Sequence, residues 1–239
     1  MVIPIYVGFD SREAAAYHVF CQSVIDYASK PVAFIPLHRG MLDNFDGQRD
    51  GTNAFIFSRF LVPHLMGYTG WALFVDGDMV VTEDIVKLWE QRDEYFAAQV
   101  VQHDYYTNHA RKYIGTPLEN DNIDYPCKNW SSVILWNCGH PSNRILTRKF
   151  IEEATGRYLH RFEWLSRDEI GVLPQEWNQL VGEYPNRKSS LYHYTLGVPG
   201  ISYYEDSDGA NYWHQTLRRA LHVSGEDPSK MVKRAEGHK

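Results

Sequence analysis

The sequence predicts an α/β fold in a single domain, built around a mostly parallel sheet. Segments of strand character alternate with segments of helical spacing through the first half, as parallel sheets wrapped by helices require. The run Trp71-Ala72-Leu73-Phe74-Val75 is apolar and uncharged, the pattern of a strand buried on both faces. No Ser/Gly-rich, Pro-rich or charged block divides the 239 residues, so no linker separates two domains.

Each element follows from local pattern. Val2 to Phe9 is the first strand. Asp10 opens a helix with Glu13 three residues on, the spacing of a capping box. Tyr17, Phe20, Cys21, Val24 and Ala28 form its buried stripe. Val32 to Leu37 is a second strand, and residues 39 to 52 are a polar loop rich in Asp, Asn and Gly. Asn53 to Leu61 reads as a Phe-rich helix interrupted or ended near Pro63. The Trp71–Val75 strand comes next, and Thr82-Glu83-Asp84-Ile85 opens another helix. Tyr95 to Val101 and Ser132 to Trp136 are strands, and Ser142 to Ala154 is a helix. Between them, residues 103 to 128 form a long irregular stretch carrying Tyr105, Tyr106, Tyr113 and Tyr125. Its aromatic content argues for function or core closure rather than disorder. The domain is expected to span residues 1–224, with 225–239 as a mobile, mildly basic tail.

Composition narrows the functional classes. A net charge of −6 is wrong for an electrostatic nucleic-acid binder. No run of 18 apolar residues suits a transmembrane helix. The start Met1-Val2-Ile3-Pro4-Ile5 lacks the basic opening of a signal peptide. Cys21, Cys127 and Cys138 are odd in number and widely spaced, forming neither a disulfide framework nor a zinc pattern. These features fit a reducing, cytoplasmic setting. A second reading concerns the C-terminal end. Trp213, Leu217, Ala220 and Leu221 share one helical face beside Arg218 and Arg219, and Lys230, Lys233, Arg234 and Lys239 follow. That face either packs on the domain, the favoured reading, or holds the chain at an anionic membrane.

The chemistry concentrates at Asp76-Gly77-Asp78. Carboxylates two residues apart in extended backbone point to the same side. At the end of a buried strand two like charges are costly unless a cation neutralises them. Oxygen ligands of this kind suit Mg²⁺ or Mn²⁺. Asp-Gly is also a turn signal, so a plain turn is the alternative.

An ordered set of segments extends the argument: Gly8-Phe9-Asp10 after the first strand, Ser58-Arg59-Phe60, Asp76-Gly77-Asp78, Trp177-Asn178, then His193 and Gly197. This order resembles the retaining nucleotide-sugar glycosyltransferases of family 8, the group containing glycogenin and bacterial lipopolysaccharide galactosyltransferases. The resemblance implies a Rossmann-like GT-A domain and transfer from a nucleoside diphosphate sugar, by default a UDP-sugar, with retention. It implies metal ligation by Asp76, Asp78 and His193, with Asp76 also near the ribose. Gly8, Phe9 and Asp10 correspond to the uracil and ribose loop, and Arg59 to the arginine that reaches the donor. Gly77, Ser131, Asn178 and Gly197 are expected to line the donor. Asp168 or Glu169 corresponds to a later acidic residue of the family. The acceptor is an unidentified glycan, lipid-linked or protein hydroxyl.

Two positions depart from the family pattern. Val198 stands where the family carries a lysine against the diphosphate, and Trp130-Ser131-Ser132 replaces an Asn-Ser-Gly. Other roles stay open at this level. Asp10 also reads as a helix cap, Trp177 as core, and the tyrosines of 105 to 125 as either sugar-stacking or core-closing groups. The alternative functions are a non-catalytic sugar-nucleotide or glycan-binding module of the same fold, and a phosphatase of the haloacid-dehalogenase type. The phosphatase ranks lower because its D-x-D lies near the chain start and continues differently.

Overall fold

The computed structural model describes residues 1–38, 40 and 55–221. Nearly all of the expected polar loop, the start of the expected Phe-rich helix, and the C-terminal tail with its lysines lie outside the described residues. The longer strands form where branched and aromatic residues cluster. In chain order they are β1 (Ile3–Gly8), β2 (Val32–Leu37), β3 (Trp71–Val75), β4 (Met79–Val81), β5 (Ala98–Val100), β6 (Arg111–Lys112), β7 (Asn120–Asp121), β8 (Val133–Asn137), β9 (Ile170–Val172), β10 (Gln179–Leu180) and β11 (Leu191–His193). The helices are α1 (Ala14–Tyr27), α2 (Val62–Leu65), α3 (Ile85–Trp89), α4 (Arg148–Glu153), α5 (Gly156–His160) and α6 (Ala210–Ala220).

A six-stranded sheet runs in the order β2-β1-β3-β8-β5-β9. All pairings are parallel except those of β8, which is antiparallel to both neighbours. The chain therefore has the mixed α/β architecture and mostly parallel sheet that the alternation predicts. β3 sits centrally and is buried on both faces. Ala72 and Phe74 join the cluster of Phe60, Trp136 and Phe162, whereas Leu73 and Val75 join Phe20, Val24 and Trp89. Side chains that alternate across a pleat reach two separate cores in this way. Burying a side chain such as Phe74 is worth about 1.5–3 kcal/mol.

A smaller sheet, β10-β11-β4, lies past the end of β3. β11 is antiparallel to β4 with His193 opposite Met79, and Tyr194 N–H donates to the Asp78 carbonyl (3.0 Å). This register, not proximity in sequence, carries the late histidine to the aspartates.

Several expected elements are shorter or displaced. Asp10 caps only a 3-10 turn, Ser11–Glu13, ahead of α1. Glu13 closes no capping box; Ser166 and Glu169 make one instead. The buried face of α1 is Ala16, Val19, Phe20, Ser23 and Val24, with Tyr17 and Cys21 only half-buried. The described part of the Phe-rich segment is a turn and a 3-10 helix, Ser58–Leu61. Pro63 does not end a helix there. It occupies the first turn of α2, where its missing N–H costs nothing. The expected helix over Ser142–Ala154 is broken, with a 3-10 helix at Pro141–Ile145 and then α4, capped by Thr147 onto Phe150 N–H. Residues 103 to 128 are irregular apart from the β6–β7 hairpin.

α6 docks on the domain. Trp213 and Thr216 are buried, Leu217 packs against the same cluster, and Arg219 pairs with Asp26 at 2.6 Å. Only Leu221 of the expected apolar face is exposed. No described helix is long and apolar enough to cross a membrane.

Candidate metal and donor site

β3 ends at Val75, and the next residues cross to the small sheet through Asp76-Gly77-Asp78. Gly77 is required by contact: a Cβ there would collide with the Gly8 carbonyl oxygen. The close approach of these two glycines holds the β1 loop beside the aspartates. Asp76 N–H donates to the Ser132 carbonyl (2.9 Å), tying the turn to the start of β8.

Asp76, Asp78 and His193 each offer a ligand atom within 4.8 Å of the others, and all three are buried. His193 Nε2 lies 3.4 Å from Asp78 Oδ1. Asp76 Oδ1 and Asp78 Oδ1 are enclosed yet accept no well-formed hydrogen bond. Buried acceptors are rarely left this way. Two carboxylates and an imidazole with lone pairs directed inward form a donor set that fits Mn²⁺ or Mg²⁺.

The groups around the cluster supply its electrostatics. Arg59 is buried on its 3-10 turn, between the rings of Phe55 and Phe74 (5.3 and 5.0 Å). Its Nη1 lies 2.9 Å from Asp76 Oδ1 and donates to the Ser131 carbonyl (2.8 Å). Burial raises the Asp76 carboxyl above its usual range, with Arg59 opposing. Burial acts the same way on Asp78. There the nearby His193 imidazole and the hydrogen bond from Tyr113 outweigh it, and the carboxyl ends below its usual range. The pair therefore differs in proton affinity, as interacting carboxylates commonly do.

Asn178 is fully buried, and its polar atoms are already committed. Its Oδ1 lies 3.0 Å from His193 Nδ1, and its Nδ2 donates to Ser132 Oγ (2.8 Å) and to the Asn129 carbonyl (3.3 Å). Asn178, expected beside the donor, holds the imidazole through its Oδ1 contact. With Oδ1 accepting, Nδ1 holds the proton and Nε2 presents its lone pair to the aspartates, the tautomer this network assigns.

The sequence reading did not separate out three further groups. Tyr113 donates to Asp78 Oδ2 (3.0 Å) from the irregular segment, where it was one ambiguous tyrosine among four. Glu13, read as a capping partner, keeps an enclosed and unpartnered Oε1. Burial, with Asp78 and Asp10 adding repulsion, pushes its carboxyl up to about 8. Lys112, beside Tyr113, carried no signal in its sequence context.

The remaining expected residues fall as follows. Asp10 is buried and paired with Arg12 at 2.6 Å, so it caps and neutralises at once. Phe9 is half-buried, edge-on to Tyr17 and His38 (5.3 and 5.8 Å). Ser131 is buried, its Oγ 2.7 Å from His160 Nδ1. Gly197 has φ +150° and is packed against the Tyr204 ring. It lines a cavity of about 180 Å³ with His109, Arg111, Ile114, Tyr203 and Tyr204. Val198 is buried in the α6 cluster. Glu169 accepts from Ser166 N–H (2.9 Å) and from the hydroxyls of Ser166 and Ser142. Asp168 is exposed. Among the described residues, no ion pair joins either acid to the metal cluster.

No known family profile matches the chain. Protein CDI of Arabidopsis thaliana is 39% identical to it, over 87% of this chain and 83% of that protein. Among solved structures, the apo bifunctional glycosyltransferase WbbM aligns with a TM-score of 0.63 at 14% identity, over 98% of this chain and 51% of that one. Apo GlyE of Streptococcus pneumoniae TIGR4 gives 0.62 at 13% identity, over 99% and 63%. Galactosyltransferase LgtC, in complex with donor and acceptor sugar analogues, gives 0.54 at 14% identity, over 95% and 98%. The chain thus spans about half of WbbM and less than two thirds of GlyE. At these identities the likeness shows the fold alone, and that fold is GT-A. The 39% identity across most of both chains shows more: this chain belongs to the same family as Protein CDI of Arabidopsis thaliana.

Proposed function

We propose that the chain is a metal-dependent glycosyltransferase that moves a sugar from a nucleoside diphosphate sugar, a UDP-sugar by resemblance, to an acceptor hydroxyl with retention. One observation carries the reading: in a GT-A fold, β3 and β11 bring Asp76, Asp78 and His193 within 4.8 Å around enclosed carboxylate oxygens that accept no well-formed hydrogen bond. A bound Mn²⁺ or Mg²⁺ would neutralise charge developing on the leaving diphosphate. The chain's own residues do the rest. Asp76, Asp78 and His193 hold the ion, and Asn178 and Tyr113 fix the orientation of two of these ligands. Gly8, Phe9 and Asp10 take the uracil and ribose, with Gly77 keeping the backbone close. Arg59 and Ser131 face the donor sugar. In a front-face transfer the bond from the sugar's anomeric carbon to the diphosphate breaks as the acceptor oxygen bonds on the same face. The acceptor proton passes to the departing diphosphate oxygen, so no separate base is needed. Asp168 stands as the open member of the late acidic pair, because Glu169 is engaged by serine hydroxyls.

The proposed acceptor, a glycan, lipid-linked or protein hydroxyl, lies on the side of the 103–128 segment, whose His109, Arg111 and Ile114 line a cavity with the exposed Tyr203, an aromatic face for sugar stacking. The proposed setting is the cytosol, in keeping with three free cysteines. The GT-A fold speaks against the phosphatase reading. The non-catalytic module keeps one supporting observation, the apolar Val198 in place of a cation.

The test is a thermal-shift panel of nucleotide sugars with and without Mn²⁺, followed by donor turnover with and without candidate acceptors. Ligands that bind the native state raise its melting temperature. Metal-dependent shifts with UDP-sugars and measurable turnover support the enzyme. Shifts with no turnover favour the binding module, and no shift with any nucleotide sugar refutes both.

A further inference from the structure

We propose that Lys112 is a diphosphate-binding residue, delivering from the 103–128 segment the positive charge that Val198 does not. The inference rests on the glycosyltransferase reading above. A divalent ion and Arg59 set against Asp76 and Asp78 leave one positive charge in excess, but a nucleoside diphosphate brings at least two negative charges. A site that holds it needs another cation nearby. The other nearby cations are already engaged. Arg59 faces Asp76, Arg12 pairs with Asp10, and Lys128 pairs with Asp124 at 3.2 Å.

Lys112 is different. It is half-buried on β6, and no described carboxylate lies within ion-pair distance of it. Its ammonium sits over the Tyr113 ring, 5.9 Å from the centroid. That same tyrosine donates to Asp78 Oδ2 at 3.0 Å, so the hairpin is anchored on the metal cluster one residue away. Burial lowers the ammonium's proton affinity, and the charges of Asp78 and Asp76, near enough to register, only partly restore it. An unpaired, partly desolvated cation is a cost to folding. Such costs persist where function needs the group. The anionic ligand that would pair it is the one the metal site is built to take. A β6–β7 hairpin closing on that ligand would also explain why the aromatic segment is tied to the site at all.

Calorimetric titration of the full chain with Mn²⁺ alone, with UDP plus Mn²⁺, and with uridine tests this. Lys112→Met, which keeps the aliphatic stem, and Lys112→Gln are expected to weaken UDP by about 10- to 100-fold, the range of a lost charge-assisted contact. Affinity for Mn²⁺ and uridine should stay within about threefold, and Lys112→Arg should hold UDP within a few-fold, as both cations bind phosphate. Lys112→Met should also melt no lower than wild type, a readout that a scaffold role would move downward. Wild-type affinity for UDP in Lys112→Met or Lys112→Gln overturns the assignment, as does parallel loss of Mn²⁺ and UDP with a lowered melting temperature. Should both neutral variants fail to fold, the role is structural and the proposal falls. A wild-type protein that binds no UDP with Mn²⁺ removes the glycosyltransferase reading itself, an outcome distinct from failure of Lys112 alone.

Discussion

Replacing Asn178 with alanine isolates the step by which the fold prepares His193. The substitution removes the acceptor 3.0 Å from Nδ1 and the amide that reaches Ser132 Oγ and the Asn129 carbonyl. Ser132 loses only an incoming bond, because its own hydroxyl still donates to the Asn129 carbonyl (2.6 Å). The Nδ1 proton, by contrast, is orphaned in a buried site, at about 1–3 kcal/mol, and the lost amide bond adds about 1 kcal/mol. Asn178→Ala should therefore be destabilised by about 2–4 kcal/mol. An imidazole free to change tautomer or rotate presents Nε2 less often, so Mn²⁺ affinity should fall about 10- to 100-fold, the usual effect of losing a group that orients a ligand. Chemical denaturation measures the first quantity, and Mn²⁺ titration followed by electron paramagnetic resonance the second. Asn178→Asp retains an acceptor and should keep more metal affinity than the alanine variant. Unchanged Mn²⁺ affinity in a folded Asn178→Ala protein would refute the claim that this residue sets the histidine.

Other expectations are more direct. Asp78→Asn should abolish metal-dependent donor binding and hydrolysis while circular dichroism shows a folded chain; full activity in that variant, or in excess EDTA, would remove the metal site. Glu13 holds its proton to about 8 in the fold but releases it near 4.5 when unfolded. Its contribution is complete below pH 4.5 and lost as pH rises toward 8, so Glu13→Gln should gain melting temperature relative to wild type across that window, and a constant difference from pH 5 to 8 would contradict the assignment. Residues 103 to 128 should gain protection from hydrogen exchange when UDP-sugar and Mn²⁺ are added, since Lys112 and Tyr113 both lie there; unchanged exchange would move donor closure elsewhere.

The sequence by itself determined the class of fold and the place of the chemistry. An uncharged run as long as Trp71–Val75 is stable only between two apolar layers, and the structure gives it two. Two aspartates at its end, with glycine between them, read from the sequence alone as a candidate cation site, with a plain turn as the alternative. Boundaries were less legible. Leu146 and Thr147 break one helix, and Pro63 starts another, because caps and packing override propensity over a few residues. Tertiary structure alone decided how the site is wired. Tyr113 reaches Asp78 across 35 residues, Arg59 reaches Ser131 across 72, and Asn178 meets His193 only because β10 and β11 run parallel. Hydrogen bonds and ion pairs depend on distances of a few ångströms. Local sequence does not fix distances between segments so far apart along the chain. The register of β11 on β4 and the folding back of the β6–β7 hairpin fix them, and with them which charges of the site are paired and which, like that of half-buried Lys112, have no carboxylate partner among the described residues.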